Sequence, residues 1–297
     1  MTDRFRDATA LRRALEVRLK QQAVDTGTAL RRRRLVVFDR AAARLSADPA
    51  AGWVLKGGAV MEFRLHGRAR TTKDMALAAR PDGESGLDGS VVRELLIDAL
   101  AVDEDKDGFL FQVSPPIERR ADTTGRGGWR FSVESRLAGT TFATVRIDVV
   151  ARREEIALTE RLPLPNTLGF AGTTPRDIEA VDRRQHFAEK LHAFTCDYGD
   201  RPNTRVKDLV DLVLLIESGL VPDTSVVGAV RHVFAVRATH EVPAALPEPP
   251  PSWAQIYPEL AESLTDTPPR LDAALDLVRG FWCEASDNGE AEPKQKD

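Results

Sequence analysis

Apolar residues recur at helical spacing over residues 8–22, where Ala10, Leu11, Leu15, Val17 and Leu19 stand among Arg, Lys, Glu and Gln. That is the pattern of a charged amphipathic helix. A second helix is predicted over 29–46 from Leu30, Val36, Val37, Phe38 and Leu45. The short apolar run 53–56 reads as a strand that ends at Gly57-Gly58, where a helix over 59–66 and a turn at Gly67-Arg68 follow. Residues 74–79 suit a short strand, 81–89 a loop, and 90–102 another amphipathic helix. The period then changes to two. Phe109, Phe111 and Val113 alternate, as do Phe131, Val133 and Ser135, and then Ala143, Val145, Ile147 and Val149. Alternation of this kind marks half-buried strands, and the turn-rich stretch 121–128 reads as a hairpin loop.

From about residue 175 the pattern is helical again. Pro175 opens one helical segment, running through 194, and residues 197–204 interrupt it. Residues 205–218 form a strongly apolar helix, with Gly219 where a helix stop is expected. The Pro-rich stretch 243–251 is an exposed, extended connector, 253–283 a last helical part, and the polar stretch 285–297 a disordered tail. No internal repeat is present. This order predicts an α/β (α+β) architecture: a sheet-bearing lobe over 1–172, a helical lobe over 173–284, and the tail.

Composition narrows the picture. The chain has 297 residues, 42% of them apolar, enough to build a core. No apolar run is long enough for a membrane-spanning helix, and the charged N-terminus lacks the apolar stretch of a secretory signal. Cys196 and Cys283 are too few for a disulfide framework or a CxxC zinc site. A cytoplasmic protein is expected. The formal net charge of −4 means that nucleic acid would have to meet a local basic surface. Arg31 to Arg34, with Arg64, Arg68 and Arg70, are the candidates; for the four-arginine run alone, a solvated helix face is the simpler reading.

Candidate chemistry lies in the first half. Nucleotidyl transfer needs its reactants held in line and its charge stabilised. Carboxylates on adjacent strands suit a hard divalent cation, and glycine lets backbone approach phosphate closely. Gly57-Gly58 follows a strand and opens a helix, so its amides suit a phosphate. Asp74 lies on the next strand. Asp148 sits in VRIDVVA between apolar β-formers, where an unpaired charge is costly. Each feature alone is an ordinary turn or sheet-end residue.

Together, LKGGAVMEFRLHGRARTTKDMALAAR (55–80), the Asp148 strand, AEKLHAF (188–194) and RVKDLVDLVLL (205–215) resemble the AbiEii/AbiGii toxins, including the MenT-like nucleotidyltransferase toxins. The resemblance implies a bilobed, polymerase-β-like fold using Mg²⁺ and a nucleoside triphosphate (CTP or another). It also implies transfer of a nucleotide to RNA, at the 3′ end of tRNA, that stops translation and is restrained by a cognate antitoxin. On the matching positions, Gly57, Gly58 and Lys73 would bind nucleotide, Asp74 and Asp148 metal, Lys190 a phosphate, and Asp208 or Asp211 would be functional. Asp148 could instead act as base. Arg205 and Lys207 could reach phosphate or simply flank the carboxylates. Thr72 stands where some relatives are phosphorylated by the antitoxin.

One position departs from the family pattern. The Asp-x-Asp motif reads Asp74-Met75-Ala76, and residues i and i+2 of a strand share a face. Ala76 therefore stands at the second metal-binding carboxylate, and the chain is expected to be impaired. It is either an engineered silent toxin, which the intact Asp148, Lys190 and Asp208 favour, or a natural pseudoenzyme. The alternative function is a catalytically inactive module that binds nucleotide, RNA or protein. A third is transfer to a protein or small molecule.

Overall fold

In the computed structural model, the described residues are 4–79, 88–119, 127–150 and 153–291. The expected loop over 81–89 and hairpin loop over 121–128 fall largely outside them. The chain divides into two compact units. The first comprises Met1–Arg64, Thr71–Arg153 and Glu160–Ala180; the second comprises Leu65–Arg70, Glu154–Thr159 and Val181–Asp297.

The first unit is built on a mixed sheet. Helices α1 (Ala8–Gln21) and α2 (Thr26–Leu45) precede β1 (Val54–Lys56), α3 (Gly57–Arg64), β2 (Asp74–Ala78) and α4 (Gly89–Ala101). Then come β3 (Phe109–Val113), β4 (Ile117–Arg119), β5 (Gly128–Leu137), β6 (Thr140–Val150), β7 (Thr159–Pro163) and β8 (Asp177–Val181). Their order across the sheet is β3-β5-β6-β2-β1-β8-β7, with β4 added on β5. Strands β5 and β6 form an antiparallel hairpin, β2 runs parallel to β6, and β1 runs antiparallel to β2 and parallel to β8. Phe63, Met75, Leu77, Phe131, Ile147 and Val149 are buried in its core; burial of each such side chain stabilises the fold by roughly 1.5–3 kcal/mol.

The helices begin where short acids can cap them. Asp7, Asp25 and Asp88 accept hydrogen bonds from Ala10 N, Thr28 N and Ser90 N at 2.8, 2.7 and 2.7 Å, each satisfying a first-turn amide. Behind the sheet a buried charge network fastens α2 to the loop before β3. Asp103, Asp105 and Asp107 alternate ahead of Gly108 (φ +76°), the spacing with which calcium loops present their carboxylates. Here guanidinium supplies the positive charge. Arg44 Nη2 lies 3.3 Å from Asp103 and 2.7 Å from Asp107, and donates to Phe109 O at 2.7 Å. Arg40 Nη1 donates to Asp105 at 3.0 Å.

The second unit is helical: α5 (Arg183–Thr195), α6 (Val206–Glu217), α7 (Thr224–Arg237), α8 (Trp253–Ala261) and α9 (Leu271–Ala291). Two expectations need correction. Residues 177–181 are strand β8 rather than the start of a helix. Ile178 and Ala180 alternate inward, Leu55 of β1 pairs with Ala180, and the helix begins only after Asp182, whose side chain caps Gln185 N at 2.8 Å. The second correction concerns the tail. Helix α9 continues to Ala291, so 285–291 are helical rather than disordered; Ala285 is fully buried, and residues 292–297 lie outside the described residues. Among the described residues no helix is long and apolar enough to cross a membrane, and both cysteines are free.

Candidate active site

The sheet register explains how the acidic positions meet. In β2 the exposure alternates: Met75 and Leu77 are buried while Asp74 and Ala76 face the other way. The parallel pairing sets Asp74 opposite Arg146 and Ala76 opposite Asp148. The i/i+2 spacing predicts that residues 74 and 76 share a face, and because paired residues share a face the register brings Asp148 to the same side. The row through Asp148 extends to Arg130 on one side and, beyond Ala76, to Lys56 on the other.

The glycine turn borders this face. Gly57 starts α3 with φ +63°, a conformation that costs a residue with a side chain, and a Cβ placed there would lie 3.5 Å from that of Ala76. Gly58 meets a different constraint: its Cβ would come within 2.8 Å of Thr72. Thr72 is buried, and its hydroxyl donates to Asp74 O at 3.0 Å, so the hydroxyl is occupied within the fold. Lys73 is exposed.

Three arginines, not foreseen from the sequence, hold the carboxylates. Arg130 donates to both oxygens of Asp148, from Nε at 2.7 Å and from Nη2 at 2.8 Å, and Arg119 Nη1 adds a third bond at 2.9 Å. Arg146 Nε lies 2.5 Å from Asp74 Oδ1. That same oxygen is buried and has no hydrogen bond of acceptable geometry, so the contact is electrostatic closeness rather than an aligned bond. The hydrogen bond to Asp148, foremost, raises the Arg130 guanidinium further above its ordinary value. A hard divalent cation needs several free oxygens. With Ala76 at the third position and guanidinium on both acids, the donor set does not fit one. Among the described residues no group of three or more His, Cys, Asp or Glu side chains is arranged to hold a metal ion. The register signal was visible as alternation around Phe131 and Ile147; the pairing that brings Arg130 beside Asp148 is non-local and was not.

Lys190, Asp208 and Asp211 lie together in the second unit. Lys190 Nζ is 2.7 Å from both Asp208 and Asp211, and Arg70 grips Asp211 with Nε at 2.9 Å and Nη2 at 2.7 Å. Burial opposes every charge here, but the facing charges override it. Lys190 is held above its usual value by Asp211 and Asp208, and Asp211 below its usual value by Lys190 and Arg70. Of the two acids Asp211 is the more deeply enclosed.

Most of the candidate RNA-facing arginines also make contacts within the fold. Arg31 pairs with Glu62 at 2.7 Å, Arg33 with Glu16, and Arg64 with Glu160 at 2.6 Å. Arg68 pairs with Asp266 at 2.8 Å and Arg70 with Asp211. Arg32 donates to Gln22. Arg205 stands 3.9 Å from Asp208 and donates to the Tyr198 hydroxyl.

Comparison with known proteins fits this architecture. MenT4, a nucleotidyltransferase toxin from Mycobacterium tuberculosis H37Rv, aligns with a TM-score of 0.54 at 21% identity, covering 93% of this chain and 89% of its own. A nucleotidyltransferase-like antigenic protein from Paracoccidioides brasiliensis aligns at 14% identity over 77% of this chain and 91% of its own, with a TM-score of 0.40. The first supports the fold; the second is too distant to carry an argument. No curated protein matches significantly. The family described as nucleotidyl transferase AbiEii toxin, type IV toxin–antitoxin system, matches residues 41–277. With most of its length inside that match and the acidic positions gathered on one sheet face, the chain belongs to the AbiEii family of nucleotidyltransferase toxins.

Proposed function

We propose that this chain carries the frame of a toxin that moves a nucleotide from a nucleoside triphosphate to the 3′ end of an RNA, with tRNA as acceptor, and so blocks translation. The carrying observation is the register that sets Asp74, residue 76 and Asp148 on one face beside the Gly57 turn. In the reaction, the acceptor hydroxyl oxygen bonds to the α-phosphorus, the bond to pyrophosphate breaks, and the hydroxyl proton leaves to a base. The amides of Gly57 and Gly58 at the start of α3 would orient the phosphates, with exposed Lys73 adjacent. Lys190 and Asp208 are proposed as nucleotide-site residues on the family pattern alone. In their own unit they form a closed ion pair.

Mg²⁺, which the family implies, would be held by Asp74, an acid at 76, and Asp148. The residues present here do not fit it, and no step of this chain is assigned to it. The Ala76 chain is therefore proposed to be an impaired transferase. Restraint by a cognate antitoxin is proposed as well. Control through phosphorylation of Thr72 would first require its buried hydroxyl to be exposed, after which the added charge would oppose nucleotide binding.

The test restores the acid. Ala76→Asp and the unsubstituted chain are each incubated with every labelled triphosphate and total RNA. Label entering tRNA only with Ala76→Asp supports the proposal. Nucleotide binding without transfer by either protein favours a binding module, and label on protein favours a different acceptor.

A further inference from the structure

The acidic face already holds an excess of positive charge. Asp148 accepts three bonds from Arg130 and Arg119, and Arg146 meets Asp74 at 2.5 Å. Of these three arginines only Arg130 reaches both acids, since its Nη2 also lies 3.9 Å from Asp74 Oδ2. It is the least exposed of the three, its side chain 29% accessible against 49% for Arg119 and 45% for Arg146. Three guanidinium groups against two carboxylates leave a formal surplus of one positive charge.

The sheet imposes this arrangement. Arg130 pairs directly with Asp148 across β5 and β6, so its stem starts beside the carboxylate it grips. Its planar fork matches a carboxylate in a way an ammonium could not. An incoming divalent cation would have to displace that fork from both Asp148 oxygens and then sit near the displaced charge. The same two events are needed whether residue 76 is Ala or Asp. The missing acid and the resident guanidinium are thus separate obstacles.

We propose that Arg130 competes with divalent cations at this site. Its guanidinium is the internal counter-ion of Asp148 and Asp74, and it weakens cation binding on the acidic face whether residue 76 is Ala or Asp, without abolishing it once the acid at 76 is restored. The location rests on reading this face as the nucleotidyltransferase site, but the behaviour is measured without turnover.

The probe is Mn²⁺ alone, followed by electron paramagnetic resonance on the full chain, its Arg130→Gln, Ala76→Asp and Ala76→Asp/Arg130→Gln variants. Removing one charge a few ångströms from the cation, even damped by solvent, is expected to tighten Mn²⁺ binding at least about tenfold in each background. Adding Asp148→Asn to Arg130→Gln should abolish the gain, which places the ion on this face. If Arg130→Gln binds no more tightly than the unsubstituted chain, and the double variant no more tightly than Ala76→Asp, the proposal is overturned and the absent acid alone excludes metal. A gain that survives Asp148→Asn overturns it too. Should Arg130→Gln fail to fold, Arg130→Met removes the charge while keeping an apolar stem, and Ala76→Asp/Arg130→Met must still bind Mn²⁺ more tightly than Ala76→Asp. Transfer by Ala76→Asp is scored separately. Transfer without an Arg130 effect removes this inference and leaves the function standing, and an Arg130 effect without transfer does the reverse.

Discussion

Position 57 shows how a single backbone angle positions chemistry. Gly57 turns the chain from β1 into α3 at φ +63°, and it does so against the face that carries Asp74, Ala76 and Asp148. A side chain there would force the turn to relax. Gly57→Ala should cost about 1–2 kcal/mol of stability, read from denaturant unfolding, and should weaken triphosphate binding beyond that loss. Asp211 makes the complementary case for charge. It is fully buried between Lys190 and Arg70, so Asp211→Asn removes the carboxylate that Arg70 grips and leaves Lys190 with Asp208 alone, and should cost roughly 3–5 kcal/mol. Asp208→Asn should cost clearly less, because Lys190 keeps Asp211. Equal losses for the two would contradict the description of that cluster.

The same pair sets a pH dependence. Asp211 is depressed in the folded state, so its contribution is fully present above the unfolded value of about 3.9 and is lost as pH falls through its lower folded value. Lys190 is raised, so its contribution is complete below about 10.4 and is lost as pH rises through its folded value. Thermal midpoints followed into acid should fall steeply for the unsubstituted chain, and Asp211→Asn should flatten that limb.

At the scale of elements, local pattern and non-local pairing divide what could be read. The amphipathic helices over 8–22 and 205–218 and the alternating strands around Phe131 and Ile147 were legible because their periods repeat over many residues. Strand β8 was not. Ile178 and Ala180 alternate with polar Asp177 and Glu179 over only five residues, and its partner β1 lies far away in sequence. The carboxylates of the site were legible as charges among β-formers, whereas Arg119 and Arg130 acquire meaning only from register. The loop from Asp103 to Gly108 carries its signal openly in the spacing of its acids, but the answering arginines sit on α2. Arg44→Met should cost about 3–5 kcal/mol by leaving Asp107 buried without its nearest cation. A chelator should leave the unsubstituted chain's melting unchanged, since guanidinium and not calcium closes the loop.

For the whole molecule, family membership and activity are separate statements. The match over 41–277 and the sheet face identify the lineage. Ala76 and the arginines on Asp74 and Asp148 describe a site in which the acid count and the charge balance are both unfavourable to a divalent cation. Five of the seven arginines considered for RNA, Arg31, Arg33, Arg64, Arg68 and Arg70, pair with acids of the fold.

The most direct measurement compares nucleotide transfer by the unsubstituted chain, Ala76→Asp, and Ala76→Asp/Asp148→Asn, each given labelled triphosphates and total RNA. Label is expected at RNA 3′ ends with Ala76→Asp only, because residue 76 and Asp148 act from the same face. Equal transfer by the unsubstituted chain, or transfer that survives loss of Asp148, would contradict it.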